Sequence, residues 1–181
     1  SAGKPFAFTR HHRRLQRSAA AMGLSVRSQE ELWTASLEVL QANELVGCRA
    51  RLRITVTGGP APLGSERGEE GETTLIAASP TTEWADTEDV VVVPYSRNEH
   101  GALAGIKSTS YGENVVALAE ARRRGAGEAV FANTKGELCE GTGSNVFLVS
   151  KGLLVTPPLS SGCLAGVTRA LVMELCEREG I

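Results

Sequence analysis

The spacing of apolar residues changes period near residue 48, and that change limits what the chain can fold into. Up to that point apolar side chains recur every three or four residues. In residues 9–22, TRHHRRLQRSAAAM, Leu15, Ala19 and Met22 keep helical spacing, Thr9 stands where a cap is expected, and Gly23 ends the run. Residues 27–42 repeat the pattern through Leu32, Ala35, Leu37 and Leu40, and Ser28 opens S-Q-E-E, a capping-box signature. From residue 49, RARLRITVT alternates polar and apolar, the period of a half-buried strand. A charged, glycine-rich loop (58–72) and the segment TTLIAASP then predict a hairpin. Two helices followed by a hairpin make a small α+β unit.

Residues 81–88, TTEWADTE, form a polar break, after which VVVVPY (90–95) predicts a buried strand. A helix is expected over 112–125, with Val115, Ala119 and Ala121 inward and Gly125 as its stop. EAVFANT, ELCEGT, NVFLVS and LLVTP follow with turn residues between them, which predicts an antiparallel or mixed sheet. VTRALVMELCERE closes the chain as a helix with Leu171 and Leu175 one turn apart. The composition therefore divides into two domains, 1–82 and 83–181, and 181 residues are enough for both.

Charge and composition exclude several classes. Nineteen basic and 21 acidic residues leave a net charge of −2, which sets aside a polybasic nucleic-acid binder. No apolar run approaches the roughly 20 residues of a membrane span, and the opening SAGKPFAFTRHHRRL lacks the apolar core of a secretory signal. Cys48, Cys139, Cys163 and Cys176 include no C-x-x-C pair, and histidine occurs only at 11, 12 and 100, so no metal site is expected. Reduced thiols in a cytoplasmic protein are the simpler expectation.

Four features bear on chemistry. Lys107 sits among small residues in GIKSTSYGEN; it is either a solvated lysine at a helix entrance or an amine shielded enough to act as a nucleophile. Glu140 opens the turn EGTGSN, as an exposed turn carboxylate or as a partner for a cation or a protonated ring nitrogen. SSGCLAGVTRAL brings Gly166, Val167 and Thr168 to a helix start, where free N–H groups favour an anion such as phosphate. The run RHHRRLQR is a solvated face, or holds one arginine that reaches a phosphate. Lysine, carboxylate, anion-binding helix start and arginine together are the requirements of pyridoxal 5'-phosphate chemistry.

These segments, strongest from Gly105 to Arg169, resemble the class IV aminotransferases, the fold-type IV pyridoxal phosphate enzymes. That family includes branched-chain and D-amino acid aminotransferases and 4-amino-4-deoxychorismate lyases. The resemblance implies an α+β, two-domain fold with a small α+β domain and a larger sheet or barrel-like domain. It implies that Lys107 is the Schiff-base lysine and proton shuttle, and that Glu140 pairs with the pyridine nitrogen. Tyr111 matches the tyrosine on the phenolic oxygen, and Leu164 the residue packed on one ring face. Gly166, Val167 and Thr168 match the phosphate-binding turn, Arg14 the phosphate-binding arginine, and Ser144 and Asn145 lie beside the cofactor. The family has further strands before Ser1 and more sheet after Ile181, so the chain reads as an enzyme truncated at both ends.

The expected function is a pyridoxal-phosphate-dependent aminotransferase acting on amino acids and keto acids, branched-chain-like or D-amino-acid-like. EGTGSN and LAGVTR carry that preference. The alternative within the family is a 4-amino-4-deoxychorismate lyase releasing pyruvate and 4-aminobenzoate. The alternative of another class is a non-catalytic fragment or interaction protein, against which the intact Lys107 and Glu140 stand. The resemblance also implies a homodimer, with no nucleic acid or membrane partner.

Overall fold

The computed structural model describes residues 4–181. The chain divides into two compact units, Ser1–Trp84 and Ala85–Ile181. The first holds helices α1 (Phe8–Ala21) and α2 (Gln29–Ala42) and the antiparallel pair β1 (Ala50–Thr57) and β2 (Thr73–Pro80). Helix α1 starts one residue before the expected position, so Thr9 lies inside it and its cap is Ala7, in a left-handed conformation with φ 47° and no side-chain cap. Phe8 thereby enters the helix and packs edge-on against Trp33 of α2, ring centroids 5.1 Å apart. At the other end Gly23, φ +64°, lets its own amide and that of Leu24 return to Ala20 and Ala19, a Schellman closure.

Helix α2 opens with the capping box its sequence spells. Ser28 Oγ accepts from Glu31 N at 3.2 Å, and Ser28 N donates to Glu31 Oε2 at 2.9 Å. Its buried side chains are Leu32, Ser36 and Leu40. Ser36 is tolerated there because its hydroxyl donates to the Leu32 carbonyl at 2.6 Å. The charged loop between β1 and β2 is tied down at two points. Arg67 donates to the Gly23 carbonyl, and Glu72 Oε1 accepts from Ser25 N at 2.7 Å.

The second unit is built on a three-stranded mixed sheet in the order β3 (Val90–Arg97), β4 (Glu128–Asn133), β5 (Leu138–Gly141). Strands β3 and β4 are parallel, joined through α3 (Gly112–Arg123); β4 and β5 are antiparallel. A separate hairpin, β6 (Leu148–Ser150) with β7 (Leu153–Val155), and helix α4 (Val167–Glu179) complete it. The core joins Val93, Ala117, Ala121, Ala129, Phe131, Cys139 and Cys163. Ala117 and Ala121 are fully buried, so over that turn α3 meets the sheet with methyl groups and its backbone approaches closely.

Two details differ from the sequence expectation. Among the described residues strand β3 is an edge strand covered on one face, with Val93 buried and Val90, Val92 and Tyr95 exposed. Its edge position also accommodates Pro94, which has no N–H to give, and the pairing register shifts between Val92 and Ser96 across it. On α3 the inner face is Asn114, Ala117 and Ala121, whereas Val115 and Ala119 point outward. The helix reads inward from Asn114 because that polar residue has partners in the sheet-end cluster below.

Candidate active site

The ends of β3 and β5, the 98–111 segment, the first turn of α3 and the 162–166 segment converge on one cavity of about 530 Å3. Of the residues singled out from sequence, Lys107, Tyr111, Glu140, Ser144, Asn145 and Leu164 line it. Lys107 is half-buried, and its Nζ lies 2.6 Å from Tyr111 Oη, so the amine is held by a neighbour four residues on.

Glu140, near the end of β5, has a side chain only 14% exposed. Its Oε2 accepts from Leu164 N at 2.9 Å, which joins β5 to the segment leading into α4. Burial pushes the carboxyl up from its ordinary range; the Leu164 N–H and the charges of Arg97 and Lys107 oppose that rise. The turn that follows is clamped by Glu128, the first residue of β4. Glu128 Oε1 accepts from Thr142 N at 3.1 Å and Thr142 Oγ1 at 2.6 Å, and Oε2 accepts from Ser144 Oγ at 3.0 Å. The Ser144 hydroxyl proton is therefore committed to the protein. The turn closes tightly over Gly141, where a Cβ would stand 2.3 Å from Ser144 Oγ.

Asn145 Nδ2 donates to the Leu164 carbonyl at 2.9 Å, and Gly166 N donates to the same carbonyl at 2.8 Å. Gly166, Val167 and Thr168 do not line the cavity; they form the start of α4, with Val167 buried and Thr168 exposed. The first intrahelical bond of α4 runs from Ala170 N to Gly166 O at 3.0 Å. The amides of residues 167–169 thus have no acceptor inside the helix and face outward from its positive end. Arg14 lies on α1 in the first unit, with Nη2 3.3 Å from His11 Nδ1.

Sequence reasoning missed three residues. Arg97, at the end of β3, is 16% exposed and lies between Glu113 (Nη1 to Oε2, 2.8 Å) and Glu140 (Nε to Oε1, 3.3 Å). Its Nη2 donates to Asn114 Oδ1 at 2.8 Å, and Asn114 Nδ2 donates to the Thr142 carbonyl at 2.5 Å. Glu128 is the third. The available signal for Arg97 was a single charged residue ending a mostly apolar strand, VVVVPYSR.

The family profile described as amino-transferase class IV matches residues 1–181. The chain is 33% identical to the "Putative branched-chain-amino-acid aminotransferase" of Methanocaldococcus jannaschii, over 99% of this chain and 63% of that protein. Among solved structures, the "Putative 4-amino-4-deoxychorismate lyase" of Legionella pneumophila superposes with a TM-score of 0.93 at 25% identity, over 99% of this chain and 67% of that one. The branched-chain aminotransferase of Thermoproteus uzoniensis with norvaline gives 0.87 at 33% identity, over 97% and 61%. The chain thus spans a little under two thirds of the length of the curated relative. On the profile match across its whole length, the chain belongs to the class IV aminotransferase family.

Proposed function

We propose that the protein is a pyridoxal-5'-phosphate-dependent aminotransferase that moves the amino group of an amino acid to a keto acid, with a branched-chain-like or D-amino-acid-like substrate. The observation that carries this reading is the meeting of Lys107 and Glu140 in one cavity at the junction of five chain segments. The residues present fit the cofactor. A cavity of about 530 Å3 has the size of pockets that enclose compact organic ligands. It offers one amine, one shielded carboxylate and, through Asn145 and Leu164, a connection to a helix start suited to phosphate. When bound, the cofactor supplies an electron sink for the carbon that loses its proton.

The chain's own residues do the rest. Lys107 Nζ would hold the cofactor and, once the substrate's own amine has displaced it there, would take the proton from the substrate α-carbon as a free amine. Tyr111 Oη, 2.6 Å from that nitrogen, fixes where the amine stands and would meet the cofactor's phenolic oxygen. The Glu140 carboxylate would pair with the ring nitrogen, and Leu164 would pack on the ring. The amides of Val167 and Thr168, next to Gly166 at the start of α4, would hold the phosphate. Asn145 and Ser144 shape the wall beside it, Ser144 through its bond to Glu128.

The test is a spectral titration of the full-length protein loaded with pyridoxal 5'-phosphate. A panel of L- and D-amino acids is added while the visible band and the keto acid are followed. Loss of the band with release of a keto acid identifies a transaminase and its donor. A second reading, 4-amino-4-deoxychorismate lyase, is favoured by the likeness to the Legionella structure. In that case the band persists with every donor, and aminodeoxychorismate yields pyruvate. No visible band, and no difference on Lys107→Ala, would refute both. The reading includes a homodimer, checked by sedimentation, and a cytoplasmic setting.

A further inference from the structure

We propose that Arg97 is a positioning residue that fixes the orientation of the Glu140 carboxylate and keeps it anionic, so that it accepts a proton-bearing ring nitrogen. The guanidinium is gripped from several sides. Its carbon lies 4.2 Å from the centre of the Phe131 ring, a cation–π contact with a fully buried side chain. Glu113 and Asn114, both on the first turn of α3, hold its two terminal nitrogens at 2.8 Å each. These contacts stop it from swinging out and leave one edge, Nε, toward Glu140 Oε1 at 3.3 Å. That nitrogen is buried and makes no hydrogen bond, so its contact with Glu140 is an ion pair off the N–H axis. The other oxygen of Glu140 is fixed by Leu164 N. Each carboxylate oxygen therefore has a fixed positive neighbour from a different part of the unit.

The charge count follows from the same contacts. Arg97 is shared by two carboxylates, the exposed Glu113 and the shielded Glu140. The three together carry one net negative charge, which a cationic ring nitrogen at Glu140 would balance. The groups facing Glu140 are Arg97 from β3, Lys107 from the 98–111 segment, the Cys139 thiol beside it on β5 and the Leu164 amide. Once Lys107 is engaged with the cofactor, Arg97 is the permanent cation that remains beside Glu140 among the described residues. Without it, burial favours the neutral acid, which would donate to an unprotonated ring nitrogen and remove the electron sink. A lysine would keep the charge but not the forked grip on Glu113 and Asn114.

The role toward the cofactor rests on the function proposed above; the coupling of Arg97 to Glu140 does not. The experiment is a carbon-13 NMR titration of the Glu140 carboxyl in the full-length protein without cofactor. Arg97→Met is expected to raise its pKa, and Arg97→Lys to recover only part of the shift. Asn114→Ala leaves every charge in place and loosens the grip, and is expected to move the pKa upward by less; it also serves if Arg97→Met fails to fold. An unchanged Glu140 titration in the folded variants overturns the proposal. A second arm loads ring-nitrogen-15-labelled pyridoxal 5'-phosphate. A protonated ring nitrogen in the wild type that loses its proton in Arg97→Met supports the cofactor role. A wild type that does not bind the cofactor, with Glu140 still shifted by Arg97→Met, overturns the cofactor role and leaves the coupling standing.

Discussion

Alanine at position 166 would put a methyl group where Asn145 already stands. A Cβ built on Gly166 lies 2.0 Å from Asn145 Oδ1 and 3.2 Å from its Cγ, well inside contact distance. The backbone there, φ −65°, is one that alanine adopts freely, so the whole effect is steric. The Asn145 amide has to turn away, which breaks its 2.9 Å bond to the Leu164 carbonyl. A lost hydrogen bond of this kind costs about 1 kcal/mol. Residual crowding adds roughly 1–3 kcal/mol where the neighbours cannot yield. The expected loss is therefore about 2–4 kcal/mol, read as a lower urea midpoint at constant slope in the full-length protein. The decisive form is a double-mutant cycle. In an Asn145→Ala background the obstructing amide is gone, and Gly166→Ala should cost less than about 1 kcal/mol, a coupling of roughly 1–3 kcal/mol. Equal cost in both backgrounds would refute the steric account.

Two further outcomes follow from groups away from the cavity. The Glu99 carboxyl is held at about 2 by the Thr134 N–H at 3.0 Å, by its own backbone amide and by the Thr134 hydroxyl at 2.8 Å. Its folded pKa lies below the ordinary value of 4.5, so its contribution is present above that value and is lost as pH falls toward 2. Glu99→Gln should flatten the fall in stability across that window, and an unchanged acid-denaturation slope would count against the assignment. Burial pushes the Cys139 thiol up to about 11, while Cys48 is exposed. A maleimide at about pH 8 should label Cys48 in the folded protein and Cys139 only on unfolding; comparable rates by peptide mass spectrometry would contradict the buried placement.

What was legible in the sequence was chemistry that acts over three or four residues. The Ser28–Glu31 box, the Gly23 stop and the span of α4 are local, because each depends on backbone groups within one turn. The inner face of α3 was not legible: alanines give little contrast between sides, and Asn114 is inward only because Arg97 and Thr142 supply its partners. The exposure of β3 depended on which strand ended at the sheet edge, a matter of pairing rather than composition. The same division holds at the cavity. Lys107, Tyr111 and Glu140 sit in compact motifs whose family resemblance could be read directly. Arg97 meets Glu140 across 43 residues through the pairing of both strands with β4, and Glu128 reaches Thr142 across 14. Neither partnership leaves a spacing signal, because the geometry that creates it is set by the sheet.

The central claim is that Lys107 is the amine that holds pyridoxal 5'-phosphate. The most direct test is to load the full-length protein with the cofactor, reduce it with borohydride, digest it and map the modified peptide by mass spectrometry. This stretch of the protein has four lysines to distinguish: Lys4, Lys107, Lys135 and Lys151. The account predicts a pyridoxyl-phosphate adduct on Lys107, and its loss in Lys107→Ala. A stoichiometric adduct on another lysine, or none after loading, would contradict it.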